Sequence, residues 1–254
     1  MKNEREKYMY MENFNKENEK MIIKDYINSK NIIVYFPKYN YYTKCNLKNF
    51  KLGYVKCPYS RKIFGVGYLG EGEYISRKNG KITKEYELWR GMLRRCYSKE
   101  NKKEFNRYKD VSVCDEWLNF QNFAKWYNEN YYEIEGQRME LDKDILKKNN
   151  KTYSPEYCVF VTSGINNLFL KNNKNRGKYP IGVSYNKKAK KFSSICNVNN
   201  KQCYLGLFDN SKDAFIAYKT FKENYIKNIA NEYKEYIPNR LYEALLKYEI
   251  EITD

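Results

Sequence analysis

The chain of 254 residues contains no histidine, so no imidazole is available as a general base at neutral pH. Its seven cysteines are scattered without a Cys-x-x-Cys pair, which argues against a zinc knuckle and against a disulfide framework. No apolar run approaches the roughly 18 residues that would span a bilayer. Residues 1–20 also lack the apolar core of a signal peptide. We therefore expect a cytoplasmic protein without a membrane partner.

Positive charge is what the chain has in excess: 48 Lys and Arg against 31 Asp and Glu give a formal net charge of +17. A basic surface of this size favours a polyanion partner, most simply DNA or RNA. The alternative is compositional, because a chain rich in Lys, Asn, Ile and Tyr is typical of an AT-rich genome. With 42% hydrophobic and 17% aromatic residues, the composition is not that of a disordered chain.

Composition and local signals divide the chain into three predicted regions. Residues 1–82 form a charged, Asn-rich tail and a small β-rich region, with a strand at 31–39 and an Asn-Gly hairpin turn within 77–81. Residues 83–174 contain helices and a nuclease-like segment described below. Residues 175–254 form a C-terminal module, and the polar stretch that precedes it contains Gly and Pro, as domain boundaries often do.

Two amphipathic helices are predicted in the middle region. Residues 86–98 and residues 114–131 both repeat apolar side chains at helical spacing, and Asp115 is the predicted N-cap of the second helix. Their aromatic residues, including Trp89 and Trp117, are interpreted as core packing rather than as groups that stack on bases.

The C-terminal module predicts a three-stranded antiparallel sheet followed by helices. Its strands are predicted at residues 181–185, 191–198 and 202–208, and polar turns separate them. A long helix follows, with Asp209 or Ser211 as its cap, and a last helix opens at Pro238.

Four stretches of this module occur at characteristic spacing: Gly182–Val183, Lys190–Phe192, Tyr204–Phe208 and Asp213–Tyr218. Together they resemble the DNA-binding domain of the plant Apetala/ethylene-response-factor family, which also occurs in phage integrases and phage homing nucleases. The resemblance implies that the sheet lies in the major groove of DNA while the helix packs behind it.

Strand alternation then gives the open face and its turn, whose residues are the predicted nucleic-acid contacts: Ser184, Asn186, Lys187, Lys188, Lys190, Ser193, Ile195, Asn197, Gln202 and Tyr204. This chain lacks most of the arginines that the plant proteins carry on that face. We therefore expect phosphate contacts by lysine to contribute more than base reading does.

A second set of motifs lies in residues 137–172, around the stretches "MELDKDIL" and "YCVFVTSGIN". An acidic strand end at Asp142 is followed by an Asn-rich loop, a short apolar strand and a helix that carries Asn166. This outline resembles the core of HNH (His-Me finger) nucleases, in which Phe160 and Thr162 fit the entrance of the second strand. The resemblance implies an α+β fold with a ββα-metal core, joined here to the C-terminal three-stranded sheet and its packed helix.

The chain departs from that family at two positions. Lys143 stands where the general-base His belongs, and Tyr157 stands where the loop Asn belongs. A general base must be neutral to accept a proton, whereas a lysine flanked by Asp142 and Asp144 is expected to keep its charge. Lys143 is thus the candidate catalytic residue only in an unusual mechanism, and an ammonium that pairs with a carboxylate or a DNA phosphate is the favoured role.

The candidate metal site consists of hard oxygen ligands that suit Mg²⁺, from Asp142, Asp144 and Asn166. The whole chain looks like a phage or prophage protein of the HNH/Apetala-domain group, which would act in the cytoplasm of a bacterial host. Three functions remain open. The first is a DNA-binding protein with little or no cleavage activity, the second is an active metal-dependent endonuclease, and the third is a counter-defence protein that binds a host defence nuclease or its RNA.

Overall fold

The computed structural model describes residues 3–98, 110–169, 178–198 and 201–254. The fold is α+β, as predicted, with several small antiparallel sheets and seven α-helices within those residues. The chain divides into two compact units, Met1–Glu129 and Asn130–Asp254. The predicted boundary at residues 174 and 175 lies outside the described residues. None of the described helices is long and apolar enough to cross a membrane.

The first unit opens with a four-stranded antiparallel sheet in the order β1-β2-β3-β4. Inward-facing residues such as Met21, Ile23, Ile32, Val34 and Phe36 are fully buried. The predicted strand at 31–39 is shorter than expected, because a proline begins a 3₁₀ turn directly after β3. The elements are α1 (Glu4–Tyr8), β1 (Glu12–Phe14), β2 (Lys20–Asn28), β3 (Asn31–Phe36), β4 (Tyr41–Cys45) and α2 (Leu47–Lys51).

The rest of the first unit is a hairpin and a helical part with an aromatic core. Asn79 and Gly80 both have positive φ and form the predicted hairpin turn. Asp115 makes no capping hydrogen bond, and Asn119 caps the following helix by accepting from the N–H of Gln121 at 3.0 Å. Trp89 and Trp117 are fully buried, which confirms their interpretation as core. The elements are β5 (Arg77–Lys78), β6 (Lys81–Ile82), α3 (Lys84–Tyr97), β7 (Ser112–Val113), a 3₁₀ turn (Asp115–Leu118) and α4 (Phe120–Asn130).

The second unit contains both remaining predicted segments around one hydrophobic core. Strand β8 pairs antiparallel with β10, and β11, β12 and β13 form an antiparallel sheet. Val161 and Ile165 share their buried cluster with Cys196 and Ile226. The elements are β8 (Met139–Asp142), β9 (Thr152–Tyr153), β10 (Val159–Thr162), α5 (Ser163–Asn167), β11 (Val183–Asn186), β12 (Lys191–Val198), β13 (Lys201–Phe208), α6 (Ser211–Glu232) and α7 (Asn239–Leu246).

Helix α6 packs on the three-stranded sheet, and its cap differs from the prediction. Asn210, between the two predicted candidates, accepts from the N–H of Asp213 at 2.9 Å. Neither Asp209 nor Ser211 fills this role, because the first lies before the cap position and the second is already the first helical residue. The cap fixes the turn by which the chain passes from β13 into α6.

Candidate nucleic-acid interface

The three-stranded sheet leaves one face open, and this face carries polar side chains together with Ile195, Tyr204 and Leu207. The covered face includes Cys196, which is 1% exposed, together with Val183 and Val198 packed against the core. Tyr204 is 62% exposed on the other face. The remaining predicted contact residues that are exposed are Ser184, Asn186, Lys187, Lys188, Lys190, Asn197 and Gln202.

Two predicted contact residues are less exposed: Ile195 is half-buried, and Ser193 corrects the prediction. It is buried, at 7% exposure, although alternation places it on the open face. Its strand is the middle one, and its register partners on the two sides are Ser184 and Leu207. A small side chain between two neighbours is shielded even on an open sheet, so Ser193 offers little surface for a ligand.

A lysine-rich turn joins β11 to β12. Asn186 stabilises this turn, because its Oδ1 accepts from the N–H groups of Lys188 at 3.0 Å and of Ala189 at 3.1 Å. Lys190 has a positive φ of 53°. Lys187, Lys188 and Lys190 form no ion pair with any residue that the structure describes. Their ammonium groups are therefore available to an anionic partner.

Two further lysines extend the basic surface and were missed at the sequence level. Lys191 opens β12 and lies 3.1 Å from the Asp209 carboxylate, and Lys201 opens β13 and is exposed. Their position at strand ends was readable from the sequence, but the register was not: Lys191 lies opposite Asn186 beside the lysine-rich turn, and Lys201 lies opposite Val198 at the other end of β12.

The strand-helix corner of β10 and α5 carries the other candidate site. Thr162 caps the short helix by accepting from the N–H of Ile165 at 3.1 Å. Asn166, on that helix, donates from Nδ2 to the Glu140 carboxylate at 2.6 Å. Because β8 runs antiparallel to β10, Asp142 lies opposite Val159, at the end of the pair that is remote from α5. The structure thus brings Asn166 to Glu140 rather than to Asp142.

Asp142 serves as the acceptor of a tight turn. Its Oδ1 accepts from the N–H groups of Asp144 and Ile145, both at 2.7 Å. Burial raises the pKa of Asp142, against the opposing effect of these two hydrogen bonds. The carboxylate is therefore committed to the backbone that follows it, as expected of an Asp at the start of a turn.

Lys143 is buried within the loop after β8, with its side chain only 10% exposed. Its ammonium lies 2.8 Å from both carboxylate oxygens of Asp144 and donates to the Asn150 carbonyl at 2.6 Å. The favoured expectation of an ammonium paired with a carboxylate agrees with this geometry. All three contacts hold the loop, and none points to a role in proton transfer.

Asn150 braces the same loop and was not singled out from the sequence. Its Nδ2 donates to the carbonyls of Lys143 at 2.9 Å and Thr152 at 2.7 Å. The Asn-rich stretch "KKNN" was the available signal, but sequence alone does not show which Asn turns inward. Tyr157, predicted to replace a loop Asn, instead contacts Lys147, whose ammonium lies 4.3 Å from its ring centroid.

The three predicted Mg²⁺ ligands have three different protein partners: loop N–H groups for Asp142, Lys143 for Asp144, and Glu140 for Asn166. Within the described ranges, no three His, Cys, Asp or Glu side chains cluster as a metal ion would require. A divalent cation at this position would have to displace the Lys143 ammonium from Asp144, which opposes binding electrostatically.

Comparisons with models of protein families, with curated proteins and with solved structures found no match for this chain. The chemistry of the two regions therefore rests on their own geometry. One region is an exposed polar sheet with a lysine-rich turn. The other is a loop whose charged groups are satisfied by each other and by the backbone.

Proposed function

We propose that this chain is a phage-type protein that binds duplex DNA through the open face of β11–β13 and does not cleave it efficiently. The observation that carries the proposal is the exposed, basic sheet face with the turn of Lys187, Lys188 and Lys190 at one end. The major groove of B-DNA is wide enough to admit β-structure. A helix-backed sheet of this kind can place polar side chains against base edges while turn lysines contact phosphates.

The nature of the exposed groups determines the expected mode of binding. Lysine ammonium groups contact phosphates as point charges, whereas base reading relies on bidentate side chains. Asn197 and Gln202 are register partners at the far end of the β12–β13 pair and are the side chains best suited to base edges. We infer that affinity is dominated by salt-dependent phosphate contacts and that sequence preference is weak.

Slow or absent cleavage follows from the Lys143 loop. The order of strand, loop, strand and helix over residues 139–167 supports an HNH-like ancestry. However, Asp142 is hydrogen-bonded to the loop backbone, and Lys143 is engaged by Asp144 and Asn150. We infer that this segment now has a structural role, with no neutral base positioned to activate water.

The binding proposal is tested by fluorescence anisotropy with a labelled duplex and two matched triple variants of the full chain. Lys187→Ala/Lys188→Ala/Lys190→Ala should lower the magnitude of the log–log salt slope by about 2 to 3, because each lost phosphate contact removes about 0.9. The control removes the same charge from exposed lysines of the first unit, as Lys78→Ala/Lys81→Ala/Lys125→Ala. Equal losses in the two variants would refute a specific role for the turn.

The absence of efficient cleavage is tested by nicking of supercoiled plasmid with Mg²⁺ or Mn²⁺. Wild type, Lys143→His and Lys143→Ala are compared at matched concentrations. We expect no rapid nicking by any of them, since a base misplaced by about an ångström loses on the order of 10²-fold in rate. Rapid nicking by wild type that Lys143→Ala abolishes would instead establish an active nuclease with a lysine in its mechanism.

A further inference from the structure

The four-stranded sheet of the first unit also has an open face, and that face is rich in aromatic residues. Tyr10 is 64% exposed, and Phe14 and Tyr42 are each 53% exposed. The open side of an antiparallel sheet is ordinarily polar, as the alternation of inward apolar and outward polar residues requires. A cluster of large exposed aromatics on such a face marks a binding surface.

Register and contacts place these residues on the same side of the sheet. Tyr35 pairs with Tyr42 across β3 and β4, and its neighbours in sequence, Val34 and Phe36, are fully buried on the opposite face. The rings of Tyr35 and Tyr42 are stacked, with centroids 4.5 Å apart. Phe14 lies on this side as well, since the preceding Asn13 reaches inward to the Phe50 carbonyl at 2.7 Å.

Lys24 lies between two of the aromatic rings. Its ammonium is 5.5 Å from the ring centroid of Tyr10 and 5.4 Å from that of Tyr35. Tyr10 itself has a φ of 61°, which is costly for a bulky residue, and its N–H donates to the Ile23 carbonyl at 2.9 Å. The backbone is thus held in an unfavourable conformation that presents an aromatic ring to solvent, as is found at binding sites.

The charges on this face leave an excess of cations. Both carboxylates are neutralised within the sheet region: Glu12 lies 2.7 Å from Lys20, and Asp25 lies 3.0 Å from Arg5. Lys24 and Lys44, by contrast, have no carboxylate partner in the part of the chain that the structure describes. Lys44 is exposed and lies opposite Ile33, which is also on the open side.

We propose that this face, defined by Tyr10, Phe14, Lys24, Tyr42 and Lys44, binds single-stranded nucleic acid. Exposed aromatic rings on a sheet provide surfaces on which unpaired bases stack, and neighbouring lysines neutralise the backbone. Duplex DNA cannot use these rings because its bases are stacked on one another. The paired acids and unpaired lysines favour a polyanion over a protein partner, whose binding would need no such excess. The proposal is independent of the duplex-binding sheet.

The test is a fluorescence-anisotropy titration of the full chain with labelled oligo(dT) of 20 nucleotides at low salt. Tyr10→Ala/Tyr42→Ala should weaken binding at least tenfold, since stacking of a base on an aromatic ring is worth roughly one to two decades in affinity. Tyr10→Phe/Tyr42→Phe should bind as wild type does, because the rings remain. The control Tyr236→Ala removes a tyrosine that is as exposed as Tyr10, at 64%, from the second unit and should change the affinity less than twofold.

A second readout separates stacking from charge. Lys24→Ala should lower the magnitude of the salt slope for oligo(dT) by about 0.7, the value for one single-strand phosphate contact. Circular dichroism and thermal unfolding establish that each variant is folded. Equal affinity of wild type and Tyr10→Ala/Tyr42→Ala for oligo(dT) would overturn the proposal, and so would an equal loss in the control variant. Neither result would bear on duplex binding by β11–β13.

Discussion

The two larger sheets of this chain have the same arrangement of a covered and an open face, but their open faces carry different side chains. Each is antiparallel, with one face in a hydrophobic core and the other face open. The open face of the four-stranded sheet carries the three aromatic residues Tyr10, Phe14 and Tyr42, whereas that of the three-stranded sheet carries one highly exposed tyrosine, Tyr204, with Asn197, Gln202 and a lysine-rich turn. The first set of groups suits stacking on unpaired bases, and the second suits contact with groove edges and phosphates.

The covered faces differ as well. Behind the four-stranded sheet, Ile23, Ile32 and Val34 are fully buried in an apolar cluster. Behind the three-stranded sheet, the buried residues include Ser194 and Lys222, which are 0% and 8% exposed. Polar groups in a core cost free energy when they have no partner. We therefore predict that the three-stranded sheet is the less stable of the two, and substitutions in either unit test this prediction.

The largest expected effect comes from Gly182→Ala, at the edge of the three-stranded sheet. Gly182 has a φ of 77°, and an added Cβ would lie 2.0 Å from the ring of Tyr218 on α6. The combined strain and overlap should cost about 3 kcal/mol or more in the free energy of unfolding. Duplex affinity should fall with it, while oligo(dT) affinity is retained.

Gly164→Ala is the control for this effect, since an added Cβ there would lie 3.7 Å from the Thr162 hydroxyl, at ordinary van der Waals distance. Both variants are measured by thermal unfolding and by anisotropy with duplex and oligo(dT). A Gly182→Ala protein as stable as Gly164→Ala would show that the sheet does not depend on close packing against Tyr218.

The next largest expected effect is a difference between the two faces in how strongly salt weakens nucleic-acid binding. If the lysine-rich turn and its neighbours make about four phosphate contacts, raising salt from 50 to 200 mM should weaken duplex binding about 150-fold. Two single-strand contacts, by Lys24 and Lys44, predict a loss of only about sevenfold for oligo(dT) over the same range. Parallel titrations of one preparation measure both slopes. Equal slopes would remove the distinction between an electrostatic and a stacking surface.

The sequence predicted the elements better than it predicted their contacts. The hairpin turn, the helix at 86–98 and the strands of the C-terminal sheet lie near their expected positions, because each depends on local periodicity or turn chemistry. Strand β2 was missed. Its bulged pairing with β3 interrupts the alternation on which strand prediction depends, with shifts on both sides of Asp25.

The candidate sites depended on tertiary contacts that a linear pattern does not contain. Asp142 and Asn166 were expected to lie side by side, but the β8–β10 register places Asn166 beside Glu140, to which it donates a hydrogen bond. The prediction that Ser193 is exposed was wrong for a similar reason, because the shielding of a small side chain depends on the strands beside it. The aromatic open face of the first unit was not predicted from the sequence, because Tyr10 and Tyr42 lie far apart along the chain. The sequence shows the type of each residue, but it does not show which residues contact one another.

Lys222 provides the next test of the prediction that the three-stranded sheet is the less stable one. It is buried on α6 with no ion-pair or hydrogen-bond partner within the described residues, and burial lowers its pKa. Between the lowered pKa of the folded state and the unfolded value of about 10.4, the unfolded chain binds more protons at Lys222, so the contribution of this residue to stability rises with pH across that window. Lys222→Met should raise the free energy of unfolding at pH 7 by about 1 to 2 kcal/mol.

Chemical denaturation of both proteins from pH 7 to 10 checks this prediction. The difference between wild type and Lys222→Met should shrink as pH rises. Titration of groups remote from Lys222 cancels in that difference, whereas that of the neighbouring Cys196 thiol, which interacts electrostatically with Lys222, does not. A pH-independent difference would mean that Lys222 has the same charge state in the folded and unfolded chains across the range, contrary to the burial described.

The smallest expected effect gives the most direct comparison of the two units. A Ser→Ala substitution should raise the free energy of unfolding in the second unit and lower it in the first. Ser194 is fully buried on the covered face of β12, and its hydroxyl has no hydrogen-bond partner among the described residues. Ser194→Ala removes an unsatisfied polar group with little change in volume and should stabilise the protein by about 1 kcal/mol. Ser60, 4% exposed in the first unit, instead donates its hydroxyl to the Glu19 carboxylate.

Ser60→Ala deprives that buried carboxylate of a donor and should destabilise the protein by about 1 to 2 kcal/mol. Urea unfolding monitored by tryptophan fluorescence and by far-UV circular dichroism gives both free energies. Stabilisation by Ser194→Ala together with destabilisation by Ser60→Ala would establish that the core behind the three-stranded sheet is the one with unsatisfied polar groups. Loss of stability in both variants would mean that Ser194 has a partner in solution, such as an ordered water, and that the two cores are equally well satisfied.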